Sequence, residues 1–175
     1  KKLLTKAYCY TGVNLLILNP IYYGIIVNHL ISDINGGFNI IKYFLLLVIQ
    51  SIGYYTIHIS MHKNRTLRKF HKFHHKFTNV IIPSIGVSVT LVEYTIAYSF
   101  PFILGSFIVN PSLITLNLSI ITVSLLNIFI HCSELSEIKY YKFLVSPNDH
   151  FNHHKNIPNI NTYAAPFINI DNIIN

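Results

Sequence analysis

The sequence predicts an all-α fold: an integral membrane four-helix bundle made of two helical hairpins, closed by a cytoplasmic histidine-rich helical cap. Three observations predict it. Four apolar blocks are each long enough to cross or enter a bilayer, which takes about 20 apolar residues. Nearly all Lys and Arg flank those blocks on one side, and nine of the ten histidines fall in clusters or at segment ends on that same side.

Composition narrows the class. Hydrophobic residues make up 51% of the 175, charged residues only 11%, and the apolar ones come in runs too long for the core of an ordinary soluble helical protein. The length suits one domain over residues 1–175, and no linker divides it. Cys9 and Cys132, without Cys-x2-Cys spacing, make neither a disulfide framework nor a thiolate zinc site, and fit a reducing, cytoplasm-facing environment. A net charge of +7 could suit nucleic acid, but the cations follow the apolar blocks, so they read as topology and headgroup contacts; no nucleic-acid partner is expected. Position 1 is Lys, which leaves a preceding segment open.

The first block covers about residues 11–31, where Asn19-Pro20 predicts a kink or a re-entrant start. The turn-forming run 32–37 separates it from the second block, 40–59. The third block, 82–102, and the fourth, 113–130, are joined by a turn containing Asn110-Pro111. The cap is then built from residues 60–78 and 131–175. Lys1, Lys2 and Lys6 precede the first block, six cations lie between Lys63 and Lys76, and Lys139, Lys142 and Lys155 follow the fourth; only Lys42 lies near the opposite side. By the positive-inside rule both termini and the histidine clusters face the cytoplasm. Arg65, Arg68 and Lys69 are placed to snorkel toward headgroups, and Tyr54, Tyr55, Tyr140 and Tyr141, near block ends, suit an interfacial belt.

The histidines carry the chemistry. His58 and His62 form H-x3-H; His71, His74 and His75 form H-x2-H-H; His150, His153 and His154 repeat it; His131 ends the fourth block. Residues three and four apart share a helix face, so each group is expected to aim its imidazoles at one point. Asp149 or Asn148 could cap the last segment. Neutral imidazole suits iron, zinc, copper or nickel. Nine donors exceed the roughly four to six positions of one ion and suit two. His29, at the far end of the first block, reads as a packing or interfacial residue. Glu93 is the one acid inside the third block, where an unpaired charge is costly, and is expected to hydrogen-bond a ligand histidine or metal-bound water. Glu134 and Glu137 read as a solvated face.

HISMH, HKFHH and HFNHH, in this order with a hydrophobic hairpin between the second and third, resemble the fatty acid hydroxylase/sterol desaturase superfamily of integral membrane di-iron enzymes. His131-Cys132-Ser133 resembles the family's His-Ser-Gly element, and Asn161-Thr162-Tyr163 with Phe167 and Asp171 resembles its tail. The chain departs from the pattern at Ile59, where Arg often stands, at Thr90 and Asn127, where further histidines can stand, and at Ala164, where Gly is usual.

The resemblance implies two iron ions held by His58, His62, His71, His74, His75, His131, His150, His153 and His154. It implies O2 as co-substrate, a lipid as substrate and hydroxylation or desaturation as the reaction, with sterol-type lipids slightly ahead of fatty acyl or sphingoid ones. The sequence has no flavin or nicotinamide fingerprint and no four-cysteine iron–sulfur motif, so electrons are expected from outside the chain, and the resemblance implies a cytochrome b5-type carrier or a reductase as their source. In a eukaryote the expected location is an endoplasmic reticulum-type membrane. Two other readings stay open: a non-catalytic membrane protein with a residual or structural zinc site, and a histidine-rich metal transporter, which fits less well because the histidines lie in the cap and not along a path through the helices.

Overall fold

The computed structural model describes residues 1–78, 81–138, 141–155 and 162–174. Lys139, Tyr140 and Asn161, invoked above, lie outside the described residues. Among the described residues the elements are helices joined by turns and loops, with no strand, and four helices are long and apolar enough to cross a membrane.

Helix α1, Lys2–His29, begins well before the first apolar block. The break expected at Asn19-Pro20 is a single widened turn: Asn14–Leu18 adopts π-helical bonding, and Pro20 then opens the regular stretch Asn19–His29. At that place its missing N–H costs little. Helix α2, Ile40–Lys63, starts at Asn39, whose side chain accepts from the Lys42 amide at 3.0 Å. It outlasts its apolar block and carries both His58 and His62. Asn64 ends α2 and caps α3, Arg65–His71, by accepting from the amides of Thr66 at 2.8 Å and Leu67 at 3.2 Å. A 3-10 turn, His74–Lys76, follows.

The third span, α4, runs Leu91–Val109 and not 82–102. Pro83 opens a separate 3-10 turn, Pro83–Ile85, and the backbone after it is pinned from outside: Asn14 Nδ2 donates to the carbonyls of Val87 and Val89, both at 3.0 Å. These bonds hold residues 87–89 as non-helical backbone, and hydropathy alone does not distinguish a packed apolar loop from a span. Thr90 caps α4 by accepting from the Glu93 amide at 3.3 Å. Asn110, in the left-handed region at φ 44°, ends α4, and Ser112 caps α5, Leu113–Ile130. The C-terminal part holds a 3-10 turn, Ser133–Leu135, then α6, Pro147–Lys155, and α7, Ile170–Ile174.

The two hairpin turns meet at one end. The Leu113 amide donates to Asp33 O at 3.3 Å, Ser112 Oγ to Gly37 O at 2.8 Å, and the Asn39 amide to Thr115 Oγ1 at 2.9 Å. Lys42, the one cation at this end, donates to Asn110 O at 2.7 Å. Between the spans, paired polar groups tie helix to helix: Tyr22 to Thr95 at 2.7 Å, Tyr23 OH to Asn117 Oδ1 at 2.8 Å and Tyr43 to Thr122 at 2.8 Å. Helices α2 and α4 approach so closely at Gly53 that a Cβ there would stand 2.9 Å from Pro101 Cβ. Outward faces are apolar, with Leu16 79% exposed, Phe107 73% and Ile41 69%, as hydrocarbon contact requires. Tyr54 is not part of an interfacial belt. It is buried in the bundle with its ring 5.4 Å from that of Tyr98, whereas Tyr141 is exposed.

Candidate metal centre

At the end opposite the hairpin turns, all nine clustered histidines converge. His58, His62, His71, His75 and His153 form one group, and His74, His131, His150 and His154 a second; within each, one nitrogen per ring lies within 4.8 Å of all the others. His29 belongs to neither and is exposed. Eight of the nine are buried and His62 is half-buried.

The spacing motifs do not each aim at one point. Each H-x2-H-H is divided, His71 and His75 from His74, and His153 from His150 and His154. On a helix, i+3 and i+4 diverge by about 100° and lie on either side of residue i. Adjacent histidines thus face two centres, while the i, i+4 pair serves one. In the first triplet the chain also leaves α3 after His71, and His74–Lys76 forms its own turn. The second triplet stands on α6, which Ser146 caps, not Asp149 or Asn148. Ser146 Oγ accepts from the Asp149 amide at 3.1 Å while Asp149 Oδ2 accepts from the Ser146 amide at 3.0 Å, and Pro147 sets the first turn.

Outward hydrogen bonds decide which ring nitrogen faces the centre. The Nδ1–H of His58 donates to Tyr163 O at 2.7 Å, of His131 to Asn127 O at 2.7 Å, of His153 to Thr162 O at 2.5 Å and of His154 to Phe77 O at 3.1 Å. A carbonyl only accepts, so in these four rings the proton sits on Nδ1 and the Nε2 lone pair points inward. His71 Nδ1 bonds Glu93 Oε1 at 2.5 Å. The inner nitrogens then stand edge to edge: 3.0 Å for His58 and His71, 2.8 Å for His71 and His75, 3.1 Å for His75 and His153, and 2.9 Å for His131 and His150. Metal–imidazole bonds of about 2.0–2.1 Å at a right angle separate neighbouring nitrogens by about 2.9 Å.

A cation fits this donor set better than hydrogen bonding does. His131 and His154 both present lone pairs to His150 Nε2, at 2.9 and 3.2 Å, and one proton there serves only one of them well. His74 is fully buried with neither nitrogen hydrogen-bonded among the described residues. An imidazole left so costs stability unless something else binds it, and a metal in the second group supplies that partner.

Electrostatics prepare the same state. Burial lowers the imidazole of His131 to about 4. Burial first, and neighbouring histidines second, hold His71, His74, His75, His150 and His154 well below the usual histidine range. His153 is lowered in the same way. These rings are neutral near pH 7, the form that binds metal.

The chain matches the family described as Fatty acid hydroxylase over residues 43–175. It belongs to that family. No curated protein and no solved structure matches the chain. The family match covers every histidine of both groups. At two positions where fatty acid hydroxylases can carry further histidines, this chain uses other residues structurally. Thr90 caps α4 and donates to Phe70 O at 3.1 Å, and Asn127 lends its carbonyl to His131. Gly86 packs so tightly here that a Cβ would lie 2.9 Å from Asn127 Nδ2 and 3.1 Å from His131 Nδ1.

The structure also shows a support that spacing did not reveal. Asp171 Oδ2 accepts from the amides of Tyr163 at 2.6 Å and Ala164 at 2.7 Å. It thereby holds the strand of backbone whose carbonyls orient His58 and His153. The only sequence signal was its place in the family-like tail. Glu134 and Glu137 are exposed, as a solvated face. Below the histidines, a cavity of about 300 Å³ lies among the four spans. Its lining includes Tyr54 and Asn127, each one helical turn before a site histidine, His58 and His131 respectively.

Two outcomes are expected. Asp171→Ala frees residues 162–164 and lowers metal affinity about 10–100-fold, seen by metal titration, with helix content retained. The pH dependence follows from the depressed imidazole values. The unfolded chain takes up protons below about 6.5, while folded His131 resists until about 4. Stability and bound metal are therefore full above pH 6.5 and decline as pH falls toward 4, measured by thermal unfolding and metal content across that window.

Proposed function

We propose that the chain is a membrane-bound di-iron, O2-dependent oxidoreductase that hydroxylates or desaturates a lipid, sterol-type lipids being slightly favoured over fatty acyl or sphingoid ones. The observation that carries this reading is the convergence of nine imidazoles into two groups, with inward-facing lone pairs fixed by outward hydrogen bonds. His58, His62, His71, His75 and His153 would hold one iron, and His74, His131, His150 and His154 the other. Iron bound there supplies the redox chemistry with O2 that removes hydrogen from an unactivated carbon, which redox-inert zinc cannot.

The chain's own residues do the rest. Carbonyls of residues 77, 127, 162 and 163 keep a proton on Nδ1 of their histidines, so each ring stays a neutral donor. Glu93 fixes the His71 ring from the third span and raises its basicity as a ligand. The apolar cavity lets the lipid lie along the bundle axis with a carbon directed toward Tyr54 and Asn127. Burial of the rings excludes bulk water from the reacting end.

Electrons come from an external donor, a cytochrome b5-type carrier or a reductase. Lys63, Arg65, Arg68, Lys69, Lys72 and Lys76 are all exposed beside the histidine groups and form a basic surface for an acidic partner. By the positive-inside rule the same cations support the reading that this end faces the cytoplasm. A non-catalytic protein holding structural zinc is the competing reading, motivated by Thr90 and Asn127.

Purified protein is expected to carry two irons per chain and to oxidise a lipid extract only with O2 and reductant. Stoichiometric zinc after iron-replete expression, without turnover, selects the competing reading. His74→Ala and His153→Ala should each abolish turnover and lower metal content, and His29→Ala should change neither. Reversing charge at Lys69 and Lys72 should slow reduction by the donor about tenfold at low salt while leaving metal content intact. Unchanged stopped-flow rates would remove the docking assignment.

A further inference from the structure

Gln50 sits at mid-span of α2, 1% exposed, and its Oε1 has no hydrogen-bond partner among the described residues. It lines the cavity between the spans. The same cavity is lined by Ile26, Tyr23, Phe102, Ile120 and Val123, among others, and by no charged residue among those described. In hydrocarbon surroundings an unsatisfied amide oxygen is costly. Several polar side chains of the wall have partners, Tyr23 with Asn117, Tyr22 with Thr95 and Tyr94 with Asn19, and among the lining residues Gln50 Oε1 is the one fully buried side-chain oxygen without a partner among the described residues. The apolar chamber thus keeps one orphaned acceptor in its wall at mid-span.

We infer that Gln50 is a specificity-determining residue that accepts a hydrogen bond from a hydroxyl group of the lipid held in this cavity. This rests on the reading of the cavity as the substrate chamber and adds to it the chemistry and position of the substrate's polar group. That group is neutral, because the lining offers no cation to offset a carboxylate, sulfate or phosphate. A hydroxyl also satisfies the amide from either of its ends, since it donates and accepts.

Position follows from the helix. Gln50, Tyr54 and His58 stand at i, i+4 and i+8 of the unbroken α2, which places Gln50 about 12 Å below His58 along the axis. On the facing wall Val123 and Asn127 climb to His131 with the same spacing. A lipid anchored at Gln50 therefore reaches the histidine end with a part of its skeleton remote from the hydroxyl. The hydroxyl points into the bundle, not to the cap.

The test is ligand binding to the metal-loaded protein in nanodiscs, with metal content measured on the same samples. The probes are cholesterol with its 3-deoxy counterpart and its 3-sulfate, and 1-octadecanol with octadecane and octadecanoate. At least one alcohol should bind about tenfold more tightly than its deoxy partner, the effect of one buried hydrogen bond, and more tightly than its anion. Gln50→Leu, which replaces the amide by an apolar group suited to the same wall, should bring the alcohol-to-deoxy ratio near one without loss of metal, and Gln50→Asn should retain part of it. A wild-type ratio near one for both pairs, tighter binding of an anion, or an unchanged ratio in Gln50→Leu overturns the inference. Iron content and turnover report separately on the oxidase reading: zinc-loaded protein that still discriminates through Gln50 refutes that reading alone.

Discussion

The structure depends on one interaction repeated around the centre: an imidazole Nδ1–H given to an acceptor outside the ring of histidines. Each such bond chooses a tautomer, and the tautomer aims a lone pair. Without Tyr163 O, Asn127 O, Thr162 O and Phe77 O in place, the same rings could bond one another and saturate their inner nitrogens. The fold supplies these acceptors from separate segments: the end of α5, the loop after the His74–Lys76 turn and the backbone before α7. Asp171 matters for the same reason although it touches no histidine, because two amides anchored to it hold two of the carbonyls.

Much of this was legible beforehand because it is written in local patterns. Four apolar runs, turn residues at 32–37 and at Asn110, and a one-sided distribution of Lys and Arg define a bundle with two unlike ends. Histidine spacing picked out the nine rings that the structure brings together in two groups, and His29, set apart on sequence, lies in neither. What was not legible depends on partners far along the chain. Asn14 claims the carbonyls of Val87 and Val89, so an apolar stretch that looked like a span became a loop and α4 starts at Leu91. Hydrophobicity of Tyr54 could not distinguish a membrane-surface ring from one packed against Tyr98. The division of each H-x2-H-H needed the positions of two centres, which periodicity on one helix does not contain.

Within the spans, polar residues fall into two kinds. Most pair across helices, as Tyr23 does with Asn117, and act as fastening between surfaces that lipid would otherwise wet equally well. Glu93 and Gln50 differ. One oxygen of Glu93 fastens His71 and the other is left without a partner, as is Oε1 of Gln50. Both lie toward the bundle interior, one at the level of the histidines and one at mid-span, where a ligand or ion can complete what the protein leaves open.

The sharing of each histidine triplet between two centres governs the order in which the protein can mature. Before α6 emerges, the growing chain holds His58, His62, His71 and His75 for one centre but only His74 and His131 for the other. Helix α6 then delivers one ring to the first and two to the second. Until α6 is in place the second group therefore lacks two of its four imidazoles, whereas the first lacks only one of five. The two groups share no ring, but they share the backbone of each triplet, so a displacement of α6 or of the turn after α3 moves rings of both.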